Sequence, residues 1–288
     1  MRVVYVIEAG GTRGAFTVGR LCVERPKMDV VVASSTGGFI GCLAAADEYD
    51  LLEHAYGNIE NINVFSNKPF TVDGKINILN LAKKIITRKH TIGDTKKFRK
   101  FVEYYFTESV YNKINNLGRE VIVNAINDDQ NPSFVEYFST KKHSYEVFLN
   151  ALLATGAVPL VMDEIDITVN NHTYPLCDAG FVEPLPIRYA LKRFRQNPKV
   201  IYTHHVNEKV EVVKGKFHRN LFTRALNVWN LSQDMHRRSA LALVKGKKNV
   251  TINYLPYKIE GNALVFKKKE LRNWIQKGKD YANSLKND

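Results

Sequence analysis

The sequence predicts an α/β fold built on a mostly parallel central sheet, and three observations carry that reading. "RVVYVIEAGG" (2–11) and "MDVVVAS" (28–34) are short β-branched runs that end on small residues. Each is followed by a segment with apolar residues at helical spacing, and strand–helix alternation at such short intervals joins parallel neighbours through crossover helices. The chain of 288 residues, 44% apolar and 25% charged, has an ordinary globular composition and enough length to bury a substantial core.

The elements follow in order. After the first strand, "TRGAFTVGRLCVERPK" carries Phe16, Val18, Leu21 and Cys22 on one helical face and stops at Pro26. The second strand leads into "TGGFIGCLAAADEYDLLEHAY", read as a single second helix. Residues 61–115 are mostly polar and helical in pattern, with a turn at Asp73-Gly74, and are expected to cap one end of the sheet. "GREVIVNAIND" is a third strand, and "SYEVFLNALLATGAVPL" an apolar helix broken before Pro159. "ITVNNHTYPLCDAG" predicts a hairpin turning at Asn170-Asn171, and "PKVIYTHH" a last core strand. There is no internal repeat and no low-complexity linker.

Composition narrows the function classes. Val3 to Ile7 is too short for a signal-peptide core, and no apolar run approaches the roughly 18 residues of a membrane span. Cys22, Cys42 and Cys177 are too few and too scattered for a disulfide framework or a zinc site, so reduced thiols and a cytoplasmic location are expected. The net charge of +13 is uneven: residues 206–288 hold 18 Lys/Arg against 7 Asp/Glu. That asymmetry predicts an anionic partner for a basic C-terminal extension. No zinc finger, RNA-recognition aromatic motif or clear helix-turn-helix accompanies the charge, so a membrane surface is expected before nucleic acid.

Three glycine-flanked sites carry the chemistry. The first strand ends in "EAGGTRG", whose Gly10, Gly11, Thr12, Arg13 and Gly14 can aim backbone amides at negative charge where a helix begins. A dinucleotide fingerprint is the rival reading, but it wants an acidic residue at the end of the second strand, which here ends on Ala33-Ser34-Ser35. In "ASSTGG" (33–38), Ser35 occupies the centre of a degenerate G-x-S-x-G elbow, with Ala33 in place of the first glycine and Gly37 and Gly38 behind. Ser34, one residue away on a strand, faces the other side and is structural. In "DAG", Asp178 is followed by Ala179 and Gly180, which is either a turn or a base with room for close approach. An α/β-hydrolase triad would need a histidine, and His204-His205 follow a core strand in the order Ser, Asp, His. Ser35, however, comes after only the second strand, too early for that fold's elbow.

Taken together, "AGGTRG" (9–14), "ASSTG" (33–37) and "DAG" (178–180), supported by "ALLATGAVP" (151–159) and "EPLPI" (183–187), resemble the patatin-like phospholipases over about residues 1–205. The segment after 206 is similar to the C-terminal extension of one bacterial branch. The resemblance implies a three-layer αβα patatin-like domain over 1–205, with a basic extension over 206–288, helical with one strand and packed on it. It also implies a serine lipid acyl hydrolase with a Ser35–Asp178 dyad, an oxyanion loop at Gly10, Gly11 and Thr12, and neither metal nor cofactor. Its substrate would be a phospholipid or other fatty-acyl ester, met at the membrane periphery. Ala9, Ala33 and Ala179 depart from the family's glycines, which leaves a weak enzyme or an inactive membrane-binding module as the alternative.

Overall fold

The computed structural model describes residues 2–65, 77, 91, 94–127, 134–159, 161–194, 198–206, 221–256 and 263–287. The expected alternation is present as β1 (Arg2–Ile7), α1 (Gly14–Glu24), β2 (Val30–Ala33) and α2 (Thr36–Ala45). β1 pairs in parallel with β2, from Val4 opposite Val30 to Ile7 opposite Ala33. β3 (Glu120–Asn127) runs parallel to β2, and β7 (Pro198–Val206) parallel to the other edge of β1. Three antiparallel members complete that side of the sheet: β4 (Phe134–Ser139), which sequence reasoning missed, and the hairpin of β5 (Ile165–Val169) and β6 (His172–Asp178). The strand order is β5-β6-β3-β2-β1-β7-β8, with β4 on β3 and β8 (Val250–Tyr254) parallel to β7.

Both faces of the parallel core are covered, which is why its strands read as unbroken apolar runs. Tyr5, Ile7, Val31 and Ala33 face one helical layer. Val4, Val6, Val30 and Val32 face the other, against Leu185, Ile187, Ala190, Ala240 and Val244. The second layer includes α8 (Ile187–Arg193) and α9 (Leu221–Ala242). The hairpin turn falls on Asn170 and Asn171, at φ 52° and 62°, the left-handed pair that a two-residue turn needs and that asparagine tolerates.

One helix expected from the sequence is two. α2 stops at Ala45 and α3 (Tyr49–Asn58) restarts after Asp47, which sits at φ 58°. The Arg119 guanidinium holds the break by donating to the Asp47 carboxylate at 2.7 Å and to the Ala45 carbonyl at 2.9 Å. Beyond α3, the region expected to cap the sheet contributes α4 (Asn61–Val64), α5 (Lys96–Tyr105) and α6 (Glu108–Asn116). The Asp73-Gly74 turn lies outside the described residues. α7 (Tyr145–Thr155) is the apolar helix, capped by Ser144 and ending at Gly156.

The chain after 206 joins the sheet through β8 and covers α1 with α10 (Lys268–Asn287). The sequence of α10 sets Leu271, Trp274, Ile275, Gly278, Tyr281 and Leu285 in one stripe, of which Leu271 and Ile275 are buried together with the neighbouring Ala282, Trp274 and Tyr281 are partly buried, and Leu285 stays exposed. That stripe is therefore occupied by protein. The sequence also places Phe217, Leu221, Ala225, Val228 and Trp229 at helical spacing, but Phe217 and the side chains of the other four lie outside the described residues. Among the described residues no helix is long and apolar enough to cross a membrane.

The α1–α10 contact depends on two glycines. A Cβ on Gly19 would stand 1.9 Å from the Ile275 carbonyl oxygen, and one on Gly278 2.1 Å from that of Phe16. Gly19→Ala and Gly278→Ala are each expected to destabilise the fold by about 1–3 kcal/mol, the usual range for overpacking. The measurement is the urea midpoint; an unchanged midpoint would contradict this helix register.

Candidate active site

The elbow is built by steric necessity. Ser35 stands between β2 and α2 at φ 55°, ψ −134°, a backbone state costly for a non-glycine residue. It is fixed from its amide side, where Ser35 N–H donates to Thr155 Oγ1 at 2.8 Å. Gly37 lets α2 press onto the end of β1: a Cβ there would lie 2.7 Å from the Ile7 carbonyl oxygen and 2.9 Å from that of Glu8. On Gly38 it would meet Val123 at 2.9 Å. Ala33 is fully buried in β2 and its methyl is accommodated. Ser34 is also fully buried, and its hydroxyl has no partner among the described residues.

Asp178 arrives at the tip of β6. Ser35 Oγ donates to Asp178 Oδ2 at 2.7 Å, and Gly180 N–H donates to Asp178 Oδ1 at 2.7 Å. The Asp178 amide is held by the Ala157 carbonyl at 2.9 Å. Burial pushes the Asp178 carboxyl up to about 7, against the pull of its hydrogen bonds from Ser35 and Gly180. Ala179 is fully buried, and a Cβ on Gly180 would approach Asp178 Oδ1 to 2.9 Å.

The glycine loop turns from β1 into α1 through a 3-10 turn over Gly11–Arg13. Gly11 has φ 53°, and its carbonyl accepts from Tyr56 Oη at 2.5 Å. Gly14 has no room for a side chain, since a Cβ would lie 2.3 Å from that same hydroxyl. Thr12 differs from the expected oxyanion donor: its N–H donates to the Ala263 carbonyl at 2.9 Å, because the chain at Ala263 lies directly against the turn. Arg13 is largely buried, and its Nε has no partner among the described residues. Burial lowers its pKa, and the charge of Arg237 lowers it further.

These groups line a cavity of about 400 Å³. Ser35, Asp178, Gly10, Gly11 and Arg13 form its polar end, while Phe39, Phe98, Phe101, Leu152, Met162 and Phe266 supply apolar wall. The cap and the C-terminal segment thus both contribute, through α5 and through Ala263 to Phe266.

Sequence reasoning missed the groups behind this end. Arg237 of α9 ion-pairs with Glu8, the fully buried residue just past the end of β1, and lies 3.4 Å from Asp234. Burial pushes the Glu8 carboxyl up while Arg237 pulls it back. Gln233, one turn earlier, donates from Nε2 to the Gly180 carbonyl at 2.8 Å. The available signal was weak: acidic and basic residues four or fewer apart on one helix, which surface helices also show.

The buried serine–aspartate contact faces an apolar cavity at the carboxyl ends of the parallel strands, the place where open α/β proteins bind their ligands. The sequence matches the family model described as patatin-like phospholipase over residues 5–191, and the chain belongs to that family. Among solved structures, the crystal structure of VipD from Legionella pneumophila is similar at 10% identity and a TM-score of 0.47. That alignment covers 99% of this chain and 66% of the other, so the chain spans slightly less than two thirds of VipD's length there. No curated protein matches by sequence.

The Glu8–Arg237 pair carries a stability prediction. Arg237→Ala would leave a buried carboxylate without its partner and is expected to cost about 3–5 kcal/mol. Arg238→Ala, whose side chain is 62% exposed beside Asp234, should cost no more than about 1 kcal/mol. Equal urea midpoints for the two variants would contradict the buried pair.

Proposed function

We propose that this chain hydrolyses fatty-acyl esters of the phospholipid or lysophospholipid type with Ser35 as nucleophile and Asp178 as general base. The observation that carries the reading is the 2.7 Å Ser35 Oγ–Asp178 Oδ2 hydrogen bond at the polar end of an apolar cavity. Ser35 Oγ attacks the ester carbonyl carbon while its proton moves to Asp178. The oxyanion is met by the amides of Gly10 and Gly11, aided by the positive end of α2. Collapse expels the alcohol, which takes the proton from Asp178. Water then attacks the acyl-enzyme, gives its proton to Asp178, and the fatty acid leaves as that proton returns to Ser35. The apolar wall suits an acyl chain, and the dry site gives the aspartate a basicity it lacks in water.

A second reading, a catalytically weak membrane-binding module, is favoured by one observation: the Thr12 amide is engaged by Ala263. Turnover decides between the two. Ser35→Ala and Asp178→Asn are each expected to abolish most hydrolysis and fluorophosphonate labelling in a folded chain, and the double variant should be little worse than either. Because Asp178 must be ionised to accept the proton, kcat/KM should fall as pH drops through about 7. His204→Ala and His205→Ala should keep at least about a tenth of turnover, whereas loss of a general base costs 10²- to 10⁴-fold. Wild-type turnover in folded Ser35→Ala would sink the dyad; a collapse in a folded histidine variant would favour a triad.

The basic C-terminal part is proposed to hold the enzyme on anionic lipid by charge. With the α10 stripe packed on α1, the lysines remain, including Lys267, Lys268 and Lys269 where α10 begins. Each basic residue near such a surface contributes about 1 kcal/mol. Sedimentation should show binding to anionic vesicles that is lost at high salt, and weaker binding to neutral ones. Equal binding to both, or indifference to salt, rules out the electrostatic mechanism.

A further inference from the structure

The Ser35–Asp178 contact depends on how the Asp178 carboxylate is aimed, and one aiming bond comes from the chain itself: Gly180 N–H donates to Oδ1, leaving Oδ2 for Ser35. Gly180 sits in a 3-10 turn over Ala179–Phe181. The next peptide group along, which carries the Gly180 carbonyl, accepts a hydrogen bond from Gln233 Nε2 at 2.8 Å. Gln233 also lines the cavity, in the wall shared with Ser35 and Asp178. Its helix is anchored one turn further on by the buried Arg237–Glu8 pair, which ties α9 to the end of β1.

From this geometry we infer that Gln233 is a positioning residue for the dyad, holding the Ala179–Phe181 turn so that Gly180 fixes the Asp178 carboxylate toward Ser35. The inference rests on the dyad reading above. It assigns part of the active site to α9, outside the residues 5–191 that match the family model. A carboxamide suits the task on physical grounds. It donates a directed hydrogen bond without bringing a charge, whereas a lysine or arginine there would stabilise the ionised aspartate and weaken it as a base.

The test is a double-mutant cycle on the full chain with a soluble short-chain ester and a fluorophosphonate probe. Gln233→Leu removes the donor and keeps much of the volume. It is expected to lower kcat and the Ser35 labelling rate about ten- to a hundredfold, the scale of misplaced catalytic groups, with KM close to wild type. In an Asp178→Asn background the same substitution should cost nothing further, because no carboxylate is left to aim. Met235→Ala, at a 70% exposed position on the same helix, is the control and should leave the rates unchanged. If Gln233→Leu does not fold, Gln233→Met goes through the same cycle. An inactive Asp178→Asn with a neutral Gln233→Leu, or an equal cost of Gln233→Leu in both backgrounds, overturns the positioning role and leaves the dyad standing. Wild-type turnover in Asp178→Asn overturns the dyad, and the positioning role with it.

Discussion

Strand β3 has two edges, and β4 runs along one of them from Ile122 to Asn127. The other edge must serve both β2 and β6, which approach it from opposite ends. β2 leaves it at Ala33 opposite Val123, and β6 reaches it with Asp178 opposite Ala125. Two residues of strand span about 6.6 Å, and Ser35 lies two residues beyond Ala33. The chain that ends β2 therefore runs head-on into the tip of β6, and the serine and aspartate are brought together by strand pairing before any side chain chooses a rotamer. The left-handed backbone at Ser35 is what this collision requires. It is held by Thr155 and by the tight seat of Gly37 on the Ile7 and Glu8 carbonyls, which offset a strain of about 1–3 kcal/mol.

Dryness works in two directions at this site. Excluding water from Asp178 raises its affinity for a proton, as a general base needs, but the same exclusion penalises every other ion nearby. The fold answers with a second carboxylate of opposite character. Glu8 sits one residue past β1, is fully buried, and is matched to Arg237 from the far end of the chain. Asp178, by contrast, meets neutral donors, Ser35 Oγ and the Gly180 amide. Glu8 is held by a cation, whereas Asp178 meets only neutral donors among the described residues, which is what the proposed general base requires.

What the sequence made legible follows from how local each cause is. Glycines in the loop, elbow and turn all lie within a few residues of a strand end, so their order in the chain carried the site, although the atoms that exclude a Cβ from Gly11 and Gly14 belong to the distant Ala263 and Tyr56. The asparagine pair announced its hairpin for the same reason, positive φ at two successive residues. The break at Asp47 was hidden because its partner, Arg119, is 72 residues away. β4 was missed because its burial is partial and uneven, with Phe134 half exposed, so no clean alternation marks it. Gln233, Arg237 and Ala263 act on residues more than fifty positions upstream, and nothing in their own neighbourhood distinguishes them from the polar surface of a helix or loop.

The three alanines that break the family's glycine pattern, and the glycines that remain, divide by the room available. Ala33 and Ala179 carry methyl groups in buried positions that accept them. Gly11, Gly14, Gly37 and Gly180 could not do so without a Cβ closing to 3 Å or less on a carbonyl, hydroxyl or carboxylate oxygen. Gly10 is the exception, with its nearest neighbour at an ordinary 3.5 Å. Ala9 and Gly180 are near neighbours: a Cβ on Gly180 would lie 3.1 Å from the Ala9 methyl, a tight contact that would need one of the two to shift by a few tenths of an ångström. The closer constraint on residue 180 is Asp178 itself, whose Oδ1 would lie 2.9 Å from the new Cβ. The departures therefore fall where the site can absorb them, and the retained glycines guard the contacts that set the Ser35–Asp178 geometry.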